Sequence, residues 1–584
     1  MTDTSSQDPP EEPSKPGGKA DPSPGAAAAG AGTAERPKPT TTSAAGSSSS
    51  GDPWSSPGST AVRPYLRHDL PPPPPPIVYT PSKLDRAIHA WKPPSDAMSP
   101  ALVAAVAVAG LVGAVTIGPT LRTGYPGVGV VVAAVAVACV TGVSAWSAGR
   151  VVRRRKGRLR FNWTGALFML LTLCLTATVA LRDAEWIVIL ALLLAFAVGS
   201  YAACGGRSWA EVLGGGLAFL PACGYTLPWT VRGGRQTISS RQNNVWPVIR
   251  TGLIVAVLLA VFGGLFVSAD AVFGDLASDL VPEISVDAVF LYVFAGVMTL
   301  LLAATAAFLA QAPPPLRMLS PAAGKPAGRW SWAVPIAALD LLFLLFCAIQ
   351  ARVFLADDKD ALLRSAGVTY AEYARQGFFQ LVVVTLLVIA VVAVAVRYAP
   401  SGGRGDRIIV RGLLGLLCAF TLVVVGVALR RLYLYEEAFG WTRLRLWVHA
   451  FELWLGVVVA LVAVAGVVKG RVAWLPRAVV ASGAVAMIAL VALNPDRFIA
   501  EKNIARFEST GKIDVSYLTN LSADAAPALD RLPEPQRSCA LRRIKEALDD
   551  RSAMTANHAR ARAREILERR PVNQPLNCAD SSRY

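Results

Sequence analysis

The chain contains 584 residues, of which 53% are hydrophobic and only 17% are charged. This share of apolar side chains exceeds what the core of a soluble protein holds, so the composition favours a membrane protein. The formal net charge of +17 would suggest nucleic-acid binding in a soluble protein, but most basic residues lie in short loops between apolar runs. We therefore expect an all-α, polytopic protein that is surrounded by lipid bilayer and binds no nucleic acid.

The first 80 residues are rich in Pro, Ser, Gly and Ala and include the proline run Pro71–Pro76. Such a stretch buries too little apolar surface to offset its chain entropy, so residues 1–80 are predicted to be disordered. The proline run favours a stiff polyproline II rod. Two roles stay open for this tail: a solvated tether, or a ligand for a partner domain that reads proline-rich segments. Residues 81–100 form a predicted juxtamembrane segment.

Apolar runs that are long enough to cross a bilayer, at about 20 residues each, follow in close succession over residues 101–494. About eleven are predicted, at 101–120, 127–149, 164–181, 186–204, 247–268, 288–310, 332–354, 378–396, 408–429, 446–468 and 478–494. The segment Ser208–Trp229 is also apolar, but Gly214–Gly216, Pro221 and Pro228 interrupt it. We expect an interfacial or re-entrant helix there.

Lys and Arg concentrate in one of the two alternating sets of loops. The most basic loop, between the second and third runs, carries Arg153–Arg155, Lys156, Arg158 and Arg160. The opposite set includes the acidic loop 270–287, which has no Lys or Arg. Because cytoplasmic loops retain positive charge, this bias predicts a plasma-membrane protein with a cytoplasmic N-terminus and an extracytoplasmic C-terminus. The abundance of Ala, Val, Gly, Pro and Arg is typical of a bacterial source.

The region after the last run, residues 495–584, is predicted to be a small soluble segment. Apolar residues spaced three and four apart predict helices over 523–532, 536–550 and 558–570. The last helix is rich in Arg, which leaves two readings open: a solvated face, or binding to anionic lipid headgroups. Cys539 and Cys578 are predicted to pair in a disulfide if this segment is extracytoplasmic; on a cytoplasmic tail they would be free thiols.

Asp340 is the clearest ionisable residue inside an apolar run, about 12 Å from the predicted cytoplasmic end of the seventh run. Because a carboxylate in the membrane interior is costly, it is a candidate functional residue. One interpretation makes it a proton or cation site. The other pairs it with a neighbouring helix through a buried hydrogen bond.

A second candidate group lies at the start of the tenth run. Arg445, His449 and Glu452 are spaced four and three residues apart, so they share one helix face. Their side chains would share protons in a functional interpretation. In the structural alternative, Arg445 extends towards the surface and Glu452 pairs with it.

The chain contains no recognisable catalytic motif: a phosphate-binding Gly-rich loop, a dinucleotide fingerprint, a Cys-x-x-Cys pair and a His-Glu-x-x-His pair are all missing from the sequence. With only four His, a multi-histidine metal site is not expected. We predict no metal and no cofactor, and an enzyme is not the favoured class.

Four stretches together resemble a family of bacterial multi-pass membrane proteins, the domain of unknown function of the 4153/4173 type. In chain order they are Leu265–Phe273; Leu339–Asp340 with Gln350; Tyr370–Phe378; and Asn494–Asp496 with Asn503–Arg506, Tyr517–Leu518 and Leu521–Ala525. The resemblance covers roughly residues 205–530 and leaves out the first two spans and the tail. It implies an integral membrane protein and supplies no substrate, reaction or cofactor.

The resemblance points to a second candidate site in the outer loops. It consists of Asp270 after the fifth span and of Tyr370, Glu372, Tyr373 and Arg375 before the eighth. A polar, aromatic loop of this kind docks on neighbouring helices or on a ligand. Glu372 and Arg375 would form a local ion pair if the loop is helical.

Two classes of function remain in view. A transporter or channel-like component is the leading hypothesis, because Asp340 and the polar stripe of the tenth span lie inside apolar runs. The alternative is an envelope scaffold or a sensory protein, whose tail and C-terminal segment bind protein partners. A membrane-embedded transferase would require several polar groups that converge at one depth.

Overall fold

The computed structural model describes residues 81–94, 96–149, 152–155, 158–270, 286–320, 328–355, 378–398, 403–468, 472–548, 553–573 and 578. The predicted tail, 1–80, lies outside them. The described elements are α1 (Lys83–Ala90), α2 (Pro100–Thr123), α3 (Val128–Ser147), β1 (Val152–Arg155), β2 (Arg158–Phe161), α4 (Trp163–Thr176), α5 (Thr178–Leu181), α6 (Glu185–Cys204), α7 (Trp209–Leu217), α8 (Phe219–Ala269), α9 (Val286–Gln311), α10 (Arg329–Leu355), α11 (Phe378–Tyr398), α12 (Arg404–Phe439), α13 (Arg443–Val467), α14 (Leu475–Leu493), α15 (Pro495–Thr510), α16 (Val515–Leu518), α17 (Ala526–Leu529), α18 (Gln536–Glu546) and α19 (His558–Arg569).

The protein is an all-α, membrane-type helix bundle, as the sequence predicts. Among the described residues, ten helices are long and apolar enough to cross a membrane. They correspond to ten of the predicted spans. The remaining one, 247–268, falls within α8, where most side chains lie outside the described set.

Local sequence explains where the helices begin and end, as α2 illustrates. The Ser99 hydroxyl accepts a hydrogen bond from the Leu102 amide, which satisfies one of the free N–H groups of the first turn. Pro100 occupies the first helical position, where its missing N–H costs nothing. The helix ends at Gly124, whose φ of 77° is the left-handed conformation that glycine adopts without strain.

The N-terminal spans α2, α3 and α9 pack with α6 and the start of α8 around a core that contains Leu102, Trp229 and Phe308. Helices α2 and α9 approach each other closely. A Cβ atom on Gly113 would overlap the Thr299 side chain, so only glycine fits there. Small residues of this kind allow membrane helices to approach each other closely.

The C-terminal spans form a second group. Helices α10, α11 and α12 share a core with α13 that includes Trp332, Phe343, Val388 and Leu417. Helix α14 packs on α13, where the Trp454 indole donates to the Ser482 hydroxyl at 3.2 Å, and also on α4 and α6. It leads directly into the C-terminal segment. The bundle therefore has two groups of helices, and α14 contacts both.

The segment Ser208–Trp229 forms α7 and the first turns of α8. Both of its ends contact the same end of the bundle: Glu211 lies 3.4 Å from Arg317, which follows α9, and the Trp229 indole donates to the carbonyl of Asp96, which precedes α2. This arrangement is that of an interfacial or re-entrant segment.

A short β-hairpin joins α3 to α4, which the sequence reading treated only as a basic loop. Strands β1 and β2 pair antiparallel, with Arg153 opposite Arg160 and Arg155 opposite Arg158. The basic side chains of this loop were informative about topology, but four-residue strands carry too little hydrophobic alternation to be recognised.

The C-terminal segment is a compact helical lobe that is docked on the bundle. Its helices include the predicted ones near 526, 536 and 558, and also α15, which was not predicted separately. Ile499, Leu529 and Leu541 of the lobe are buried in the same core as Leu175 and Ile187 of the N-terminal spans. The lobe is therefore anchored on the ends of the spans.

Candidate functional site

Glu452 lies inside the bundle, on α13, and is almost completely buried at 1% exposure. Its Oε1 lies 3.4 Å from the Thr385 hydroxyl of α11, while Oε2 has no hydrogen-bond partner. Val382 of α11, Leu432 of α12 and Leu455 of α13 form a small apolar core between the same helices. A single weak donor leaves this carboxyl group poorly solvated, which is costly for an ionised group.

His449 and Glu436 form a second polar contact, one turn closer to the N-terminal end of α13. His449 Nδ1 lies 3.4 Å from Glu436 Oε2, and the Glu436 side chain is fully buried. The His449 ring also stacks on Trp441, with 6.2 Å between ring centroids. The sequence had singled out His449, but its acidic partner comes from α12.

Arg445 does not join this group. Its Nη1 donates to the carbonyls of Phe439 and Gly440, and its guanidinium lies 4.3 Å from the centre of the Tyr435 ring. It therefore caps the C-terminal end of α12. The structure does not pair Arg445 with Glu452, because the Arg445 guanidinium binds the turn between α12 and α13.

Asp340 lies on α10, 4% exposed, among the apolar side chains of the C-terminal group. Neither of its carboxyl oxygens has a hydrogen-bond partner. It interacts electrostatically with the Cys418 thiol of α12. A buried donor, which the structural interpretation of Asp340 requires, is not found among the described residues.

The Asp340 and Glu452 sites belong to one helix group but contact different helices. Asp340 interacts with Cys418 of α12, whereas Glu452 contacts Thr385 of α11. No direct contact between the two carboxyl groups is found among the described residues. Thr421 is a further buried polar side chain of α12.

Residues of the lobe bind the turn between α12 and α13 and the start of α13. Arg443 forms a bidentate ion pair with Asp496, whose exposure is 0%. The Asn503 side chain bonds both the amide and the carbonyl of Trp441, at 3.0 and 2.9 Å. Tyr517 accepts a hydrogen bond from the Arg443 amide at 2.8 Å. Three lobe residues thus hold the start of the helix that carries His449 and Glu452.

Asp496 has two further donors. The Trp186 indole donates to it at 3.2 Å and the Ser522 amide at 2.9 Å. Burial alone would raise the pKa of Asp496, but the hydrogen bonds and charge of Arg443 outweigh that effect and lower the pKa below its ordinary value. Asp496 is therefore a charged, fully bonded anchor.

A second buried carboxylate of the lobe docks on the loop between α5 and α6. Asp524 accepts hydrogen bonds from the amides of Asp183 and Ala184, at 2.7 and 3.0 Å, and lies 3.6 Å from the Arg182 guanidinium. Burial raises the pKa of Asp524 to about 6 even though these groups favour its charged form. Burial also raises the pKa of Asp183.

The last helix of the lobe docks on the turn between the first two spans and on the α5–α6 region. Arg560 contacts the Asp183 carboxylate at 3.3 Å and donates to the Pro126 carbonyl at 2.8 Å. The Asn557 side chain donates to the carbonyls of Val179 and Arg182. Most of the Arg density of this helix is thus surface charge, whereas Arg560 is a buried docking residue.

Cys539 and Cys578 are joined in a disulfide, with 5.7 Å between their Cα atoms. Of the candidate outer-loop site, only Asp270 is described, and it is exposed at the end of α8. Tyr370, Glu372, Tyr373 and Arg375 lie outside the described residues, so their predicted grouping remains a prediction. Among the described residues, no cluster of metal-ligating side chains is found.

The family model described as "Domain of unknown function (DUF4153)" matches residues 167–532. This is more than half of the chain. The protein belongs to the DUF4153 family. No curated protein matches it, and no solved structure does.

The DUF4153 region begins within α4 and ends in the lobe, so it contains the buried carboxylates of α10 to α13. It also contains Asp496, Asn503 and Tyr517, the lobe residues that bind the α12–α13 turn. The first two spans and the end of the lobe lie outside it. These two outlying parts contact each other: the Val128 amide donates to the Ala556 carbonyl at 3.0 Å.

Sequence reading missed several residues of this arrangement. Arg443 and Trp186 gave no local signal, because their partner Asp496 is far along the chain. Glu436 lies in a charged stretch beyond the predicted span 408–429. In the structure α12 continues to Phe439 and places Glu436 one turn beyond the buried Leu432. Extending the apolar helical period of that span would have found it.

Proposed function

We propose that this DUF4153 protein is a non-enzymatic membrane transport component in which buried carboxyl groups of α10 to α13 bind and release a proton or a small cation. The observation that carries the proposal is Asp340: it is buried, and neither of its carboxyl oxygens has a hydrogen-bond donor among the described residues.

An ionised carboxylate without donors is strongly disfavoured in a low-dielectric interior. Asp340 therefore holds a proton or a bound cation at rest. A group that serves only to stabilise a closed bundle would be bonded to a buried donor, as Asp496 is. Asp340 has the environment of an exchange site, since the described residues leave it free to accept and release a proton.

Glu452 and the His449–Glu436 pair extend the site towards the outer end. The contact with Thr385 orients Glu452 without neutralising it, and His449 lies 3.4 Å from the Glu436 carboxylate. Ions would pass between these groups and Asp340 by way of water that enters when the helices move. The lobe, which holds the α12–α13 turn, would set the position of this outer half.

We place the protein in the plasma membrane, with the N-terminus and the basic hairpin in the cytoplasm and the lobe outside. The charge bias of the loops supports this orientation. The proline-rich tail and the outer surface of the lobe are the surfaces that we assign to protein partners.

The experiment is a flux assay on the purified full-length chain in sealed vesicles that contain a pH-sensitive dye. We expect a pH gradient or a membrane potential to drive ion-coupled flux that Asp340→Asn and Glu452→Gln reduce by about tenfold or more, as expected for loss of a group in the path. Glu437→Gln is the matched control, because Glu437 is the exposed neighbour of buried Glu436. Flux that is unchanged in Asp340→Asn would refute the proposal.

A second candidate function is an envelope scaffold or sensor. The docked lobe favours it, because a lobe that is anchored on the spans by buried ion pairs presents a fixed outer surface to a partner. If the vesicles carry no flux and the lobe surface captures an envelope component in cross-linking experiments, the scaffold hypothesis replaces transport.

A further inference from the structure

A cavity of about 400 Å³ opens between α3 and α4 at the basic end of the bundle. Ala138 and Gly142 of α3 and Thr164 of α4 line its sides, and Arg207 and Arg477 line its polar end. No Asp or Glu side chain is among its lining residues. The cavity is therefore cationic at one end, without a carboxylate to neutralise it.

The two arginines are presented differently. Arg477 is held in place, because its Nε donates to the Gly206 carbonyl at 2.7 Å. The same oxygen accepts a hydrogen bond from the Tyr201 hydroxyl at 3.0 Å. The Arg207 side chain is exposed and makes no hydrogen bond or ion pair within the described part of the chain, while its amide donates to Glu211 at 2.7 Å. A fixed cation and an available one thus flank the same opening.

The hairpin β1–β2 joins α3 to α4, the two helices between which this cavity opens. Its sequence carries Arg153–Arg155, Lys156, Arg158 and Arg160. Clusters of four or more basic residues next to a span attract anionic lipid headgroups. The connection between the two helices is therefore itself of a type that favours an anionic lipid surface.

An apolar cavity of about 220 Å³ continues from the cationic one into the bundle. The two share Ala138, Thr141, Met169 and Ala203 as lining residues. The apolar part extends along α4 as far as Thr176, twelve residues beyond Thr164, which corresponds to about 18 Å of helical rise. One leaflet of hydrocarbon is about 15 Å thick, so the groove has the length of a lipid acyl chain.

We propose that this composite groove is a binding site for an anionic phospholipid. The phosphate lies between Arg207 and Arg477, and one acyl chain follows the apolar cavity between α3 and α4. Basic pockets between spans that open at the headgroup level have the chemistry that anionic lipid headgroups require. Because the groove lies outside α10 to α13, the proposal is independent of the proposed transport site.

The test uses the purified full-length chain in detergent, to which phosphatidylglycerol or phosphatidylcholine is added, with thermal unfolding and native mass spectrometry as readouts. We expect phosphatidylglycerol to bind and to raise the unfolding temperature more than phosphatidylcholine does. Arg207→Gln removes the unpaired cation and keeps the amide bond to Glu211; it should weaken phosphatidylglycerol binding by about tenfold, the effect of one charge-assisted hydrogen bond.

A second variant fills the cationic cavity without removing a charge. A Cβ atom on Gly142 meets no atom within 4 Å, so Gly142→Leu fits the fold and fills the groove. Gly466→Leu is its control, because Gly466 is equally open on α13. We expect lipid binding to be lost in Gly142→Leu and kept in Gly466→Leu.

Three results would overturn the proposal. One is equal binding of both lipids by the unaltered chain. Another is full phosphatidylglycerol binding by both Arg207→Gln and Gly142→Leu. The last is equal stabilisation by glycerol 3-phosphate, which has no acyl chains and would identify the site as one for a soluble phosphate.

Discussion

Arg443 and Asp496 form a bidentate ion pair between the first residue of α13 and the first turn of the lobe. Nε donates to Oδ1 at 2.9 Å and Nη2 donates to Oδ2, while the carboxylate is fully buried. Asp496 lies in a stretch that carries the family resemblance, and Arg443 begins the helix with Glu452. This pair therefore connects the lobe to the helix group in which the proposed ion site lies.

Loss of this arginine should loosen the lobe. Arg443→Met leaves Asp496 buried without its cation, so we expect the lobe to lose about 3 kcal/mol of docking stability. Hydrogen exchange of α15 measures it. Arg497→Met is the control, because Arg497 forms only an exposed pair with Glu501 and should cost less than about 0.5 kcal/mol. Equal exchange in the two variants would show that the buried pair does not anchor the lobe.

Docking should weaken as the pH rises from about 4 to 7, because folded Asp524, with its pKa of about 6, holds a proton more tightly than the unfolded chain does. The contribution is present below pH 4 and is lost through pH 6, by about 2–3 kcal/mol. Asp183 acts in the same direction. Asp496, whose pKa is lowered, is ionised in both the folded and the unfolded state above about pH 5, so it does not oppose this trend there.

Hydrogen exchange of the lobe as a function of pH checks this dependence. Asp524→Asn should flatten it, because the amide cannot titrate yet still accepts hydrogen bonds from the amides of Asp183 and Ala184. A lobe that becomes more stable between pH 4 and 7 would contradict the assignment.

The contact between the first two spans and the end of the lobe should depend on a glycine. A Cβ atom on Gly127 would overlap the backbone of Thr555, so Gly127→Ala must displace the start of α19. We expect a loss of about 1–3 kcal/mol in α19 docking, seen by hydrogen exchange. Gly142→Ala, which places its methyl group in open space, is the matched control. Normal protection of α19 in Gly127→Ala would refute the close contact.

The disulfide provides a test of orientation. If the lobe is extracytoplasmic, a membrane-impermeant thiol reagent on intact cells should label Cys539 and Cys578 only after reduction. The variant with both residues changed to Ser serves as the background, since six other cysteines are free. Labelling without reductant by a reagent confined to the cytoplasm would reverse the predicted topology.

Sequence patterns predicted the spans because a bilayer demands about 20 apolar residues whatever the neighbours are. They also singled out Asp340 and Glu452, since an ionisable residue in an apolar run stands out locally. They could not predict that Arg443 finds Asp496 or that His449 meets Glu436, because these contacts join residues that are distant in the chain. The docking of the lobe could not be predicted for the same reason. Helix α15 is polar in sequence, and the core in which its Ile499 and Ile504 are buried includes residues of α6 and α14.

The most direct test of the central claim is infrared spectroscopy of the reconstituted protein as a function of pH, with Asp340→Asn as the reference. We expect an absorption band of a protonated carboxyl group in the unaltered chain. This band should be missing in Asp340→Asn and should disappear reversibly as the pH is raised. An absorption that stays unchanged at every pH that the protein tolerates, or that is identical in the two proteins, would show that Asp340 does not exchange a proton.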